Sequence, residues 1–189
     1  GDANFNWTAA WTVQTQHDTV PNAFTFTDQT NVPLSTLRTA TAVTITGLGP
    51  AMLGASPVTV TGEGSPQISI AGGAWATSGT IMNNQTLAVR LTSAATFSTT
   101  RSTTVTVGGV SDTWDVTTLA GDTTPDAFSF TDQTDVALST LTTANTLTIS
   151  GINDGAAVTV SGDGNPQVSI NGGAWATSGT ITNNQTLAV

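Results

Sequence analysis

The amino-acid sequence predicts an all-β protein made of tandem antiparallel β-sandwich domains, on three observations. The chain repeats itself over the length of a small domain. Its apolar residues alternate with period two in short runs, the signature of half-buried strands. Gly, Pro, Asn and Asp interrupt those runs at roughly 8–15 residue spacing, as they do in sandwiches. No sustained stripe of period 3.6 is present.

Asp18–Leu37 (DTVPNAFTFTDQTNVPLSTL) returns as Asp122–Leu141 (DTTPDAFSFTDQTDVALSTL), an offset of 104 residues; Gly72–Val89 returns as Gly172–Val189, an offset of 100. The slip of four is the stretch Ala51–Gly54, found only in the first copy and read as a surface insertion. Solenoid units are roughly 20–50 residues long, whereas a period near 100 is that of a whole domain. Residues 18–120 are expected to form one complete repeat, and residues 121–189 a second that lacks its last strands. Residues 1–17 are expected to be the tail of a preceding repeat, because Trp11–Gln16 (WTVQTQ) matches Trp114–Thr118 (WDVTT). On the preferred reading these residues are a window on a longer array. The other reading has the second copy take its missing strands from a neighbouring chain, as in strand donation. It is less favoured because the N-terminal segment offers about one strand where two or three are missing.

Within the first copy, Ala23–Thr27 (AFTFT) alternates with Phe24 and Phe26 on one face. Pro33–Leu37 reads as a single helical turn or a crossing segment. Val43–Thr46 and Val58–Thr61 alternate; Ile68–Ile70 is short and ends at Gly72 and Gly73. Leu87–Leu91 alternates with Arg90 on the polar side, and Val105–Val107 and Thr113–Val116 form a hairpin around GGVS. Gly62–Gln67 and Gly162–Gln167 are turns. Asn83–Gln85 and Asn183–Gln185 are read as hairpin connections, since Asn tolerates positive φ.

Charged residues make up only 8% of the chain, against about 25% in ordinary globular proteins. Threonine fills about a fifth of it, a preference that suits strand surfaces. The net charge of −9, with Arg38, Arg90 and Arg101 as the cations and no lysine, argues against nucleic-acid partners and anionic lipid. No apolar run approaches the ~20 residues of a membrane-spanning helix, so membrane insertion is not expected. Cysteine is absent, so disulfides are impossible; the lack of lysine also rules out Lys–Asn isopeptide staples.

Pro21–Thr30 (P-x-x-F-x-F-x-D-x-T), Ile70–Gly73 (I-x-G-G) and Ser78–Thr86 (S-G-T-I-x-N-x-Q-T) recur as Pro125–Thr134, Ile170–Gly173 and Ser178–Thr186. With these motifs the chain resembles the bacterial tandem immunoglobulin-like repeats of large secreted or surface proteins, of adhesin or filament type. The resemblance covers nearly the whole chain. It implies immunoglobulin-like sandwiches and an extracellular or cell-surface setting, with roles that range over spacers, adhesins, sheaths and filaments.

Catalysis is not expected. The single histidine, His17, stands where the second copy has Gly121, and the single glutamate, Glu63, lies in a turn. No catalytic, cofactor-binding or metal-ligating residue is therefore assigned. A Ca²⁺ ion at the repeat junction is the strongest inorganic candidate. Asp122, Asp126, Asp132 and Asp135 cluster there, and Asp18, Asn22, Asp28 and Asn31 are their first-copy counterparts. The spacing matches no known calcium loop, and the same residues initiate turns; Asp28 and Asp132 are the best candidates for ligand or turn cap.

Trp75 and Trp175 are equivalent, as are Trp11 and Trp114, while Trp7 has no certain counterpart; the repetition is read as core packing, with sugar stacking as the alternative. Asn6–Thr8, Asn84–Thr86 and Asn184–Thr186 satisfy the N-glycosylation pattern. The expected function is structural: a rod, filament, sheath or surface-layer element outside the cell, self-associating into a homopolymer or array. An adhesin or carbohydrate-binding array with a glycan ligand is the alternative, for which Gly47–Pro57 is a candidate loop. A phage tail or capsid module is the lesser one.

Overall fold

A computed structural model describes residues 18–49 and 55–189. The proposed tail 1–17, with Trp7, Trp11, His17 and the first glycosylation pattern, lies outside the described residues, as does the insertion Ala51–Gly54. The described residues are all β, in fourteen strands without a helix. The chain divides into two compact units: one holds the described residues up to Ala95 and Thr99–Thr118, the other Thr96–Ser98 and Leu119–Val189.

Unit one is a β-sandwich of two sheets. The first has the order β1 (Gln29–Val32), β9 (Val110–Thr118), β8 (Thr100–Val107), β4 (Ser56–Gly62), β6 (Ser78–Ile81). In the second, β7 (Thr86–Thr92) pairs with β2 (Leu37–Thr39), β3 (Val43–Thr44) and β5 (Gln67–Ile70). All pairings are antiparallel except β1 with β9, which run parallel, a departure from the purely antiparallel expectation. The alternation read from the sequence sets the inner and outer faces. Val58 and Val60 of β4, Val105 and Val107 of β8, and Trp114 and Val116 of β9 point inward. They meet Ile45, Ile68, Leu87, Val89 and Leu91 on the facing side. Trp114 and eleven other side chains are essentially fully enclosed. Burying each such aliphatic side chain contributes roughly 1.5–3 kcal/mol.

The outward threonines of β8 and β9 are explained by their pairing. Thr100 with Thr117, Thr104 with Thr113 and Thr106 with Ser111 are joined hydroxyl to hydroxyl across the hairpin at 2.7, 3.1 and 2.7 Å. Such cross-strand pairs are a unit of sheet stabilisation. The hairpin turns on Gly108 and Gly109, both at positive φ; a Cβ on Gly108 would run into the Thr19 carbonyl and the Ser56 hydroxyl.

Two expectations need correction, and an open alternative is decided. Ala23–Thr27 is not a laddered strand. Phe26 is buried and Phe24 packs beside it edge-to-face at 6.0 Å, as the alternation requires. The segment is held to β9 by side chains instead: Phe26 N–H donates to Asp112 Oδ2 at 2.7 Å, and Trp114 Nε1–H donates to the Thr27 carbonyl at 2.9 Å. Asn83–Gln85 does not close a hairpin. It carries the chain from β6 in one sheet to β7 in the other, with Asn84 at φ 65°. Pro33–Leu37 is the crossing segment, not a helical turn; it leads from β1 to β2 in the opposite sheet, with Ser35 at φ 51°.

Unit two repeats part of this plan. Its β10 (Leu147–Thr148), β14 (Thr186–Ala188) and β12 (Ser169–Ile170) form one sheet, and β11 (Ala156–Thr159) and β13 (Ser178–Ile181) the other. The register is the same in both copies: Ala156 pairs with Ile181 as Ser56 does with Ile81, and Ile170 with Leu187 as Ile70 does with Leu87. Its core is smaller, built on Ile149, Ile152, Ala156, Val168, Ile181 and Leu187.

Candidate functional site

The residues singled out by sequence fall into three places, beginning with the acidic residues that open each repeat. Asp18 Oδ1 accepts from Val20 N–H at 3.0 Å, and Asp122 Oδ1 from Thr124 N–H at 2.9 Å, so both close the same turn with their own backbone. Asn22 donates to Thr46 Oγ1, and Asp126 Oδ2 accepts from the Ser150 hydroxyl at 2.8 Å. Asn31, at the irregularity within β1, and Asp135 both take left-handed backbone conformations, at φ 55° and 58°. Asp28 Oδ1 accepts from the Asp115 N–H of β9 at 2.9 Å. Asp18 and Asp122 thus cap their own turns, Asp28 and Asp126 bond residues distant in sequence, and Asp132 makes no counterpart of the Asp28 bond among the described residues. No group of three or more Asp, Glu, His or Cys side chains gathers into a possible metal site among the described residues.

The second place is the repeated tryptophan: the core reading holds for Trp114 and is overturned for Trp75 and Trp175. Trp75 is half-exposed and belongs to neither core, and Trp175 is 45% exposed. The physical reason is the short Gly73–Thr77 segment. It is tied to β5 by turn bonds at Gly73 and a single bridge, Ile68 with Ala76, not by a strand ladder, and its large side chain lies outside the sandwich. The Arg90 guanidinium carbon lies over the Trp75 ring, 4.3 Å from its centroid. Its Nε and Nη2 both donate to Gln67 Oε1, at 3.0 and 2.7 Å. The guanidinium is therefore fixed between an amide and an aromatic face. Around Trp175 the equivalent space is a hollow of about 400 Å³, lined also by Gln167, Asp163, Asn165, Leu141 and Thr142.

The third place lies where the sequence reading expected the second copy to lack its last strands. In unit two the inner face is open. A cavity of about 290 Å³ lies over it, lined by Phe128, Phe130, Val158, Val160, Ile181 and Leu187 among others. In unit one the equivalent face is closed by β8 and β9.

No protein-family model matches the chain, and comparison with curated proteins gives no match. Among solved structures, the chain is similar to S-layer protein SbsC, domains 5-6, at 13% identity and TM-score 0.35, over 89% of this chain and 83% of that one. It is similar to surface layer protein SbsC, domains 4-9, at 15% identity and TM-score 0.33, over 89% of this chain and 27% of that one. Likenesses this weak carry no argument about role. No helix among the described residues is long and apolar enough to cross a membrane.

Proposed function

We propose that this chain is an extracellular structural repeat protein, an element of a rod, filament, sheath or surface layer. On this reading its sandwiches are immunoglobulin-like building blocks. The strand order supports that description: β4-β8-β9 in one sheet and β3-β7-β5 in the other correspond to the C-F-G and B-E-D groupings of such domains. The observation that carries the reading is a domain-length repeat whose copies share strand register and turn geometry, since identical modules present identical contact surfaces. The low charge leaves those surfaces able to pack closely.

Analytical ultracentrifugation over a wide concentration range, followed by electron microscopy, tests the proposal. Concentration-dependent association into regular filaments or sheets is expected. A chain that stays monomeric at high concentration, without ordered assemblies, overturns it. The exposed Trp175 and half-exposed Trp75 favour a second reading, a glycan-binding array. Quenching or shift of indole fluorescence by oligosaccharides, abolished in Trp175→Ala, would establish it.

A further inference from the structure

The outer strands of unit one's two sheets are not alike. β1 is broken by an irregularity in its register, with Asn31 at φ 55°. β2 carries Arg38, β3 is only two residues long, and the bridge from Ile68 to Ala76 stands beside β5. A bulge, a charge, extreme shortness and a covering segment are the usual means by which a sheet edge is kept from pairing with another chain. β6 relies on none of them. It reads Ser78-Gly79-Thr80-Ile81, pairs only with β4 among the described residues, and holds one register throughout. No charged side chain occurs from Gly64 to Val89, and β4 has none either. In a chain of net charge −9, this is where two copies approach each other at the least electrostatic cost.

Which backbone groups of β6 are free follows from its ladder. Gly108 N–H donates to the Pro57 carbonyl at 3.0 Å, so Pro57 turns toward β8 and makes no ladder bond to Thr80 opposite it. Bonded positions alternate in an antiparallel pair. β4 therefore holds Gly79 and Ile81, and the N–H and C=O groups of Ser78 and Thr80 point away from it. The Ser78 and Thr80 side chains are exposed, whereas Ile81 is buried and a Cβ on Gly79 would run into Ile70 Cδ1 at 2.8 Å. Unit two repeats this edge residue for residue. Ser178-Gly179-Thr180-Ile181 pairs with β11 in the same register, and no charged side chain occurs from Gly164 to Val189.

We propose that β6 and β13 are the edges through which copies of this chain pair with one another. The pairing is antiparallel and two-fold, centred on Gly79. Ser78 lies opposite Thr80 of the partner subunit, and Thr80 opposite Ser78 of the partner subunit. This register closes every outward N–H and C=O of those residues on both edges. It also sets serine against threonine hydroxyls, the contact that Thr106 makes with Ser111 at 2.7 Å within unit one. Either edge fits either edge of another copy, so a chain with both continues beyond a pair. The inference rests on the self-association proposed above and names its surface.

Sedimentation velocity and hydrogen exchange on the 189-residue chain test it. On association, the amides of Ser78, Thr80, Ser178 and Thr180 are expected to slow about tenfold or more, while those of Gly79 and Ile81 are already protected in the monomer. A variant with Ser78→Lys, Thr80→Lys, Ser178→Lys and Thr180→Lys opposes like charges across the seam. It is expected to weaken association about tenfold or more, although it makes the chain less negative. A second variant with Ser78→Asp, Thr80→Lys, Ser178→Asp and Thr180→Lys sets opposite charges in register and is expected to restore association. Protection at Gly79 and Ile81 in both variants reports that the ladder to β4 is intact. Association that leaves the Ser78 and Thr80 amides fast, or that the lysines do not weaken, overturns the edge and leaves the surface-array reading standing. Weakening that the aspartates fail to restore overturns the two-fold register. A chain that stays monomeric overturns both readings.

Discussion

Val32 is 3% exposed and its counterpart Val136 is 52% exposed, although each lies in a nearly identical stretch of sequence. Phe26 is sealed in the core of unit one, whereas Phe130 lines an open cavity in unit two. The turns tell the opposite story. Asn84 and Asn184 sit at φ 65° and 64°, Gly47 and Gly151 both at 88°, and Ser35 and Ser139 at 51° and 57°. Local chemistry, repeated, gives the same local geometry; burial depends on strands far away in the chain. β8 and β9 have no counterpart among the described residues of unit two, and in unit one they supply the parallel partner of β1 and the far wall of the core.

Removing the largest part of that wall should make unit one resemble unit two. Trp114→Ala deletes a fully buried indole and its bond to Thr27, and is expected to cost unit one about 3–5 kcal/mol in denaturant unfolding. The unfolding of unit two should not move. The paired substitutions Val32→Ala and Val136→Ala sharpen the same contrast. The first is expected to cost about 2 kcal/mol, and the second less than about 0.5 kcal/mol, because only Val32 is enclosed.

Asp28→Ala should cost about 1–2 kcal/mol through the uncapped Asp115 N–H, while Asp132→Ala alone should leave stability within about 0.5 kcal/mol. Equal losses at both positions would break the comparison, and would show that Asp132 has a partner of its own. The smallest effect concerns the indoles. Arg90→Gln should cost about 0.5–1 kcal/mol and bring the Trp75 emission closer to that of Trp175. Single-tryptophan variants make that shift measurable.

What could be read from the sequence divides along the same line. The period-two runs at Val58–Thr61, Ile68–Ile70 and Leu87–Leu91 became β4, β5 and β7, because their alternation is a local property that the sandwich only had to accept. The Asn-Asn turns and the Gly108–Gly109 hairpin were legible for the same reason. Sheet membership was not. Whether Asn84 joins strands of one sheet or two is decided by what β4 and β7 pair with elsewhere. The strand β1 was hidden for the same cause, since Gln29–Val32 pairs only with a strand some 87 residues away. The repeated tryptophan misled because repetition argues for importance and says nothing of the side of the sheet. Trp75 lies on a segment bridged to β5 outside the regular ladder, whereas Trp114, at an inward position of β9, is the core residue.

The parallel pairing of β1 with β9 bears on how unit one meets a pull applied along the chain. The first and last strands of the unit lie side by side and run in the same direction, Gln29 beside Val116 and Val32 beside Thr118. Tension that draws the start of β1 and the end of β9 apart slides the two past each other, loading their hydrogen bonds together in shear. An antiparallel terminal pair would instead be unzipped one bond at a time. In a chain without disulfides or lysine staples, this seam is where resistance to stretching is concentrated.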